Sequence, residues 1–224
     1  MPEIVVHHLE QSRSHRVLWT LEALSLPYTV KRYERNAKTM RGDPALKDVH
    51  PLGKSPVVTV DGTVFAETGA ILEHLSDLAD GALRPAPGTE DAVRCRYFLH
   101  YAEGSLMPPL LVKLIIGRVR RAPLPFFVKP LAKAIANKVD ETFTNREVES
   151  HTAFLESQLR GRDFFAGPTL TLADIQMSYP IQALLHRGDA SAAPNLQAWF
   201  GHMKSRDDYR RALERGGDTN LIPG

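Results

Sequence analysis

Cysteine is almost missing from this 224-residue chain. Its one copy, Cys95, excludes an intrachain disulfide, and a chain of this length can bury a sufficient core without one. A reducing, cytoplasmic setting is therefore expected. Excess charge of one sign is also missing, because 28 Lys and Arg face 26 Asp and Glu and leave a net charge of +2. No global field draws in nucleic acid, which is not expected as a partner. Long hydrophobic runs are absent as well. The most apolar stretch, LMPPLLVKLII, is short and interrupted by Pro108, Pro109 and Lys113, so no membrane span is expected. No basic-then-apolar leader opens the sequence, so secretion is not expected. Internal repeats and low-complexity tracts are missing too, which excludes solenoids and repeat arrays.

What is present divides into two textures. Ile4 to His8 and Tyr28 to Tyr33 are short β-prone runs. Between them Val17, Leu18, Leu21 and Leu24 recur at helical spacing, and Pro27 moves Leu26 out of the α region. A β–α–β opening implies parallel strands in a buried sheet. PALKDV suggests a short helix. In SPVVTVDGTVFAET, two β-prone runs flank Asp61-Gly62, the strongest short-range hairpin signal. Thr68 is expected to cap a helix with Ile71, Leu72, Leu75 and Leu78 on one face. The expected order is β-α-β-α-β-β-α, an α/β layer over residues 1–80, followed by a Gly- and Pro-rich linker at 81–90. Residues 91–224 show no strand signal. Helices are expected over about 91–120 with a bend at Pro108-Pro109, over 131–159 and 171–185, and near Leu196 and Tyr209.

Three stretches, in order along nearly the whole chain, resemble the cytosolic glutathione transferase family. VHPLGKSPVVTVDGTVFAETGAILEHL, residues 49–75, looks like its glutathione-binding segment, usually N-P-x-G-x-V-P, a hairpin and E-S-x-x-I. FFAGPTLTLADI, residues 164–175, resembles the helical domain's capping signature. HHLEQSRSHRVLW resembles the junction that carries the catalytic residue. That wording, with HPLGKSP, is most similar to a fungal and bacterial group of serine type. The resemblance implies a thioredoxin-like N-terminal domain, an all-α C-terminal domain and a homodimer. It also implies glutathione as co-substrate, with no permanently bound cofactor and no metal.

Each site residue then has an expected task. Thr68, with the free N–H groups of a helix N-terminus, suits a carboxylate, and Glu67 beside it suits an ammonium. The γ-glutamyl end of glutathione carries both groups on one carbon. The resemblance implies a cis Ser55-Pro56 bond whose Ser55 backbone pairs with the cysteinyl backbone, like an added strand. Lys54 beside it can meet the glycyl carboxylate, or it is simply solvated. Lining up Arg16 with serine-type relatives puts Ser12 at the catalytic position, with Ser14 as its rival. In the preferred reading, Ser14 or His15 forms the helix cap, and Arg13 leans toward the pocket and supports negative charge. A free thiol of pKa about 8.5 is only about 3% thiolate at neutral pH, and each unit of lowering takes about 1.4 kcal/mol. A hydrogen bond to a charged group supplies about 1.5–3 kcal/mol, so one hydroxyl suffices for one to two units.

The electrophile side is expected along the loop after the first strand and the helix from Asp91, with candidates His8, Leu9, Tyr101, Met107 and Leu110. Thr171 and Asp174 form a capping box, a structural role. Cys95 reads as a small buried hydrophobe. The 117–139 segment has six basic residues and no acid. It reads as a solvated face around a Pro-broken insertion, with a membrane surface or an anionic ligand as the alternative. The function expected is conjugation of glutathione to small hydrophobic electrophiles, or reduction of peroxides. A non-catalytic glutathione-binding or assembly module is the alternative. A thiol reductase of the same fold would need a cysteine at the junction, where this chain has serine and no CxxC.

Overall fold

Strand β1 (Ile4–Leu9) buries five of its six residues, as befits the interior of a sheet covered on both faces. In the computed structural model, which describes residues 1–36, 39, 41–188, 190–217 and 219, β1 leads into helix α1 (Ser14–Leu24). The chain returns as β2 (Thr29–Tyr33), parallel to β1. After a short 3₁₀ turn at Pro44–Asp48 come β3 (Val57–Val60), β4 (Thr63–Ala66) and α2 (Thr68–Asp77). The four strands lie in the order β2-β1-β3-β4, with β1/β3 and β3/β4 antiparallel. Asp61 (φ 48°) and Gly62 (φ 80°) both take the left-handed conformation that a tight hairpin turn needs. Lys31 and Arg32 are exposed on the edge strand β2, where charge discourages pairing with another sheet.

The second unit is all helical: α3 (Glu90–Tyr101), α4 (Met107–Arg121), α5 (Lys129–Val139), α6 (Asn145–Gln158), α7 (Leu172–Arg187), α8 (Pro194–Ser205) and α9 (Asp207–Gly216). The fold class is therefore a thioredoxin-like α/β domain with a mixed four-stranded sheet, followed by a helical domain. Two of the expected long helices are interrupted. A π turn at Ala102–Leu106 separates α3 from α4, and another at Asp140–Thr144 separates α5 from α6. The bend thus precedes Pro108-Pro109, and the prolines occupy the first turn of α4, where a missing N–H costs nothing. α1 also ends earlier than Pro27 requires. Ser25 takes φ 54°, and its N–H and that of Leu26 return to carbonyls of the last turn.

One continuous apolar core runs through both units, from Val6, Trp19 and Leu72 to Phe98, Phe165 and Met177. Each such side chain contributes about 1.5–3 kcal/mol on burial. α7 packs on α1 and α2, and α9 packs along α1, where the Trp19 indole N–H donates to Asp208 Oδ1 at 2.9 Å. Gly216, at the end of α9, permits that closeness. A Cβ there would lie 2.5 Å from Leu18 and 3.1 Å from His8.

Two polar devices pin this packing. Thr171 and Asp174 form the expected capping box at the start of α7. The Asp174 carboxylate accepts from the Thr171 N–H (2.9 Å), the Thr171 hydroxyl (2.8 Å) and the Phe165 N–H (2.8 Å). Burial still pushes its carboxyl up to about 6. The second device spans the two units. Arg16, fully buried on α1, donates to Glu103 Oε1 at 2.7 Å and to the Gln176 carbonyl at 2.8 Å. Burial would raise the Glu103 carboxyl, but Arg16 and then Arg13 more than offset that and hold it below the usual carboxylate range.

Replacing Asp174→Ala orphans three buried donor groups, and should cost about 3 kcal/mol, roughly 6–12 °C in thermal melting of a chain this size. Glu103, by contrast, carries pH dependence. Because its folded pKa is depressed, its stabilisation is present above its ordinary value of 4.5 and is lost as pH falls through the lower folded value. Urea midpoints followed from neutral to acid pH should drop less steeply for Glu103→Gln than for the native chain.

Candidate functional site

The strand–helix junction turns through Gln11, at φ 48°, and presents Ser12 half-buried and Ser14 fully buried. The residue capping α1 is Arg13, whose side chain makes no capping bond, so neither Ser14 nor His15 is the cap. It is the Ser12 hydroxyl that accepts the Ser14 N–H, at 3.2 Å. Ser12 Oγ also lies 2.7 Å from the Leu9 carbonyl, 2.8 Å from Ser14 Oγ and 3.5 Å from Ser55 Oγ.

Proton accounting separates the two serines. His8 Nε2 is 2.8 Å from the Gly216 carbonyl, which can only accept, so Nε2 carries the ring proton. Burial lowers the His8 pKa, which keeps the ring neutral. Its Nδ1 must then accept, and Ser14 Oγ lies 2.8 Å from it. The Leu9 carbonyl is also within reach of the Ser14 hydroxyl, at 3.1 Å, but giving it the single Ser14 proton would leave the buried Nδ1 without a donor, so that proton goes to His8. Ser12 can direct its own proton to Ser14 Oγ, to the Leu9 carbonyl or into the adjoining cavity.

Two adjacent cavities, of about 830 and 800 Å³, share Arg13, Leu52, Lys54 and Ser55 as lining. The first reaches the N-terminus of α2, where Glu67, Thr68, Gly69 and Ala70 line it. The second contains Ser12, Leu9 and Tyr179. The Ser55–Pro56 peptide is cis. Thr68 is not the cap of α2. That position belongs to Glu67, at φ 68°, and the Thr68 hydroxyl turns inward to accept from Arg16 Nη2 at 3.2 Å. With no side-chain cap, the α2 N-terminus presents backbone N–H groups and the positive end of its dipole toward the first cavity.

Arg13 lines both cavities, but its charge is engaged. Its Nε and Nη2 donate to Glu103 at 2.9 and 3.1 Å, and its guanidinium lies 5.0 Å from the centre of the Tyr179 ring. Among the expected electrophile residues only Leu9 lines either cavity. His8 is spent on Gly216 and Ser14. Tyr101 is buried, with its hydroxyl on His151 Nδ1 and its ring among Tyr97, Phe98 and Phe154. Met107 and Leu110 belong to the core. Four of those five residues thus line neither cavity, because apolar helical spacing marks core and cavity alike. Sequence reasoning missed Glu103, Gln176 and Tyr179, and used Arg16 only as an alignment marker. A signal existed for Arg16, because a charge beside the buried face of α1 demands a partner.

Among the described residues, no cluster of three or more His, Cys, Asp or Glu could hold a metal ion. No helix among them is long and apolar enough to cross a membrane.

Comparison with known proteins agrees with this fold. Residues 1–77 match the family model for the glutathione S-transferase N-terminal domain, and residues 124–207 match that for the C-terminal domain. Glutathione S-transferase 1 of Saccharomyces cerevisiae is 32% identical over 225 residues, covering 96% of each chain. Glutathione S-transferase 3 of Schizosaccharomyces pombe is 32% identical over 221 residues, covering 97% of this chain and 90% of its own. A crystal structure of a glutathione S-transferase from Actinobacillus pleuropneumoniae superposes with a TM-score of 0.82 at 31% identity, covering 97% of this chain and 95% of its own. Its fold and sequence together show that the chain belongs to the glutathione S-transferase family.

Proposed function

We propose that this glutathione transferase activates the thiol of glutathione through the Ser12 hydroxyl and passes the thiolate to a small hydrophobic electrophile. The observation that carries the reading is the proton accounting at the junction. Ser14 is sealed and committed to His8, whereas Ser12 borders the cavity and has a proton to redirect. Glutathione would extend from α2 to the junction. Its γ-glutamyl carboxylate meets the uncapped N–H groups at Thr68, and its ammonium meets Glu67. The cysteinyl backbone runs along Ser55 and Pro56, which sets the sulfur over Ser12, and Lys54 meets the glycyl carboxylate.

The positive end of α1 adds to the hydroxyl's effect on the thiolate. Arg13 helps mainly by holding Glu103 rather than by offering free charge. Conjugation and peroxide reduction both begin from this thiolate, and Leu9 and Tyr179 would flank the incoming electrophile. A thiol reductase reading is disfavoured because Cys95 is buried within α3 and burial raises its pKa. A homodimer and a cytoplasmic setting belong to the same proposal. Leu52, Val93 and Tyr97 are exposed apolar side chains that a second copy would cover.

The reading requires retention on immobilised glutathione and conjugation of an aryl halide. A chain that is retained without turnover would be a binding module instead. In ultraviolet titration of the bound thiol, Ser12→Ala should raise its pKa by about one to two units with glutathione affinity nearly unchanged. An unmoved thiol pKa would remove Ser12 from the mechanism. Glu67→Gln should do the reverse, weakening glutathione binding about tenfold by calorimetry while leaving the pKa of the bound thiol in place.

A further inference from the structure

The connection between α4 and α5 ends in two neighbouring aromatic side chains that protrude from the protein. Phe126 is 85% exposed and Phe127 69%, with their rings packed edge to face on each other. Pro123, Pro125 and Pro130 keep the α4 and α5 helices from running together through this turn. The two helices pack against one another, and each carries an exposed apolar stripe: Leu111, Ile115 and Val119 on α4, Leu131 and Ile135 on α5.

Charge distinguishes this surface from an ordinary oily patch. From Met107 to Val139 the sequence holds no acid. Arg118, Arg120, Arg121, Lys129, Lys133 and Lys138 are all exposed along the two helices, with Arg120 paired to Asp140 just beyond α5. The positive face continues into a cavity of about 260 Å³ lined by Lys113, Arg120, Arg121, His186 and Arg187, in which Asp140 is the one acid.

We propose that the α4–α5 hairpin docks this protein on an anionic lipid surface, with Phe126 and Phe127 entering the boundary between headgroups and acyl chains and the surrounding cations meeting lipid phosphates. A small apolar wedge holds a bilayer only weakly, and a polybasic flank is the second signal that makes attachment stable. A symmetric contact with a second copy would set this cationic face against itself. An acidic protein partner would need a matching groove for two protruding rings, whereas a bilayer needs none. The near-zero net charge is no obstacle, because attraction to a lipid surface acts within a Debye length of the tip.

The test is sedimentation of the full chain with vesicles of phosphatidylcholine and phosphatidylserine in a three-to-one mixture, against phosphatidylcholine alone. The chain should pellet with the mixed vesicles and stay soluble with the neutral ones. The apparent affinity should fall at least about tenfold in Lys129→Gln/Lys133→Gln and at raised salt. Phe126→Ser/Phe127→Ser should lower it by a similar factor. Both variants alter exposed residues that line neither cavity, so circular dichroism and aryl halide conjugation should match the native chain. Equal pelleting with the two vesicle types, pelleting with neither, or binding insensitive to the phenylalanines would overturn the proposal. So would a native self-association, seen by sedimentation velocity, that disappears in the Phe126→Ser/Phe127→Ser chain.

Discussion

A buried guanidinium organises the meeting of the two units. Arg16 has no access to solvent, so the free energy of burying its charge must be offset by fixed partners. Those partners come from three places: the Glu103 carboxylate in the π turn after α3, the Gln176 carbonyl in α7, and the Thr68 hydroxyl at the start of α2. Burial pushes the Arg16 pKa down to about 10 although Glu103 opposes the shift, and it remains a cation at neutral pH. One charge thereby ties the helical unit to the α/β unit. It also draws Thr68 inward and leaves the end of α2 open to the cavity.

The junction uses hydrogen bonds in an equally constrained way. Each serine has one proton, and each carbonyl only accepts. The path from Gly216 through His8 to Ser14 engages the Ser14 proton behind the cavity wall, so it is the hydroxyl at the front that can change partner. In the proposed mechanism, this hydroxyl biases a thiol toward thiolate. A single charge-assisted hydrogen bond and the positive end of α1 are of the right size.

The sheet was legible because its signals are local. Asp61-Gly62 names a hairpin by itself, and the β-α-β spacing before it leaves little topological choice. Thr171 and Asp174 were equally legible, since a capping box is complete within four residues. The π turns were not, because nothing in the residue types of Ala102–Leu106 or Asp140–Thr144 marks the wider turn. Arg16 meets Glu103 across 87 positions and Gln176 across 160, and only the packed tertiary structure brings them together. Thr68 as a cap was the reasonable local reading. It fails because a buried arginine competes for the same hydroxyl. Tyr101, Met107 and Leu110 show the limit of pattern reading, since the side of a helix that faces the core and the side that faces a cavity share one spacing.

Gly216 joins the first residues of the site to nearly the last described ones. Its missing side chain lets α9 press against Leu18 and His8, and its carbonyl chooses which nitrogen of His8 holds the proton. During synthesis the strand and helix bearing Ser12 emerge from the ribosome long before α9 exists. Until that helix arrives, the Gly216 carbonyl cannot fix the His8 tautomer. The junction between β1 and α1 is thus completed only when α9 packs against it.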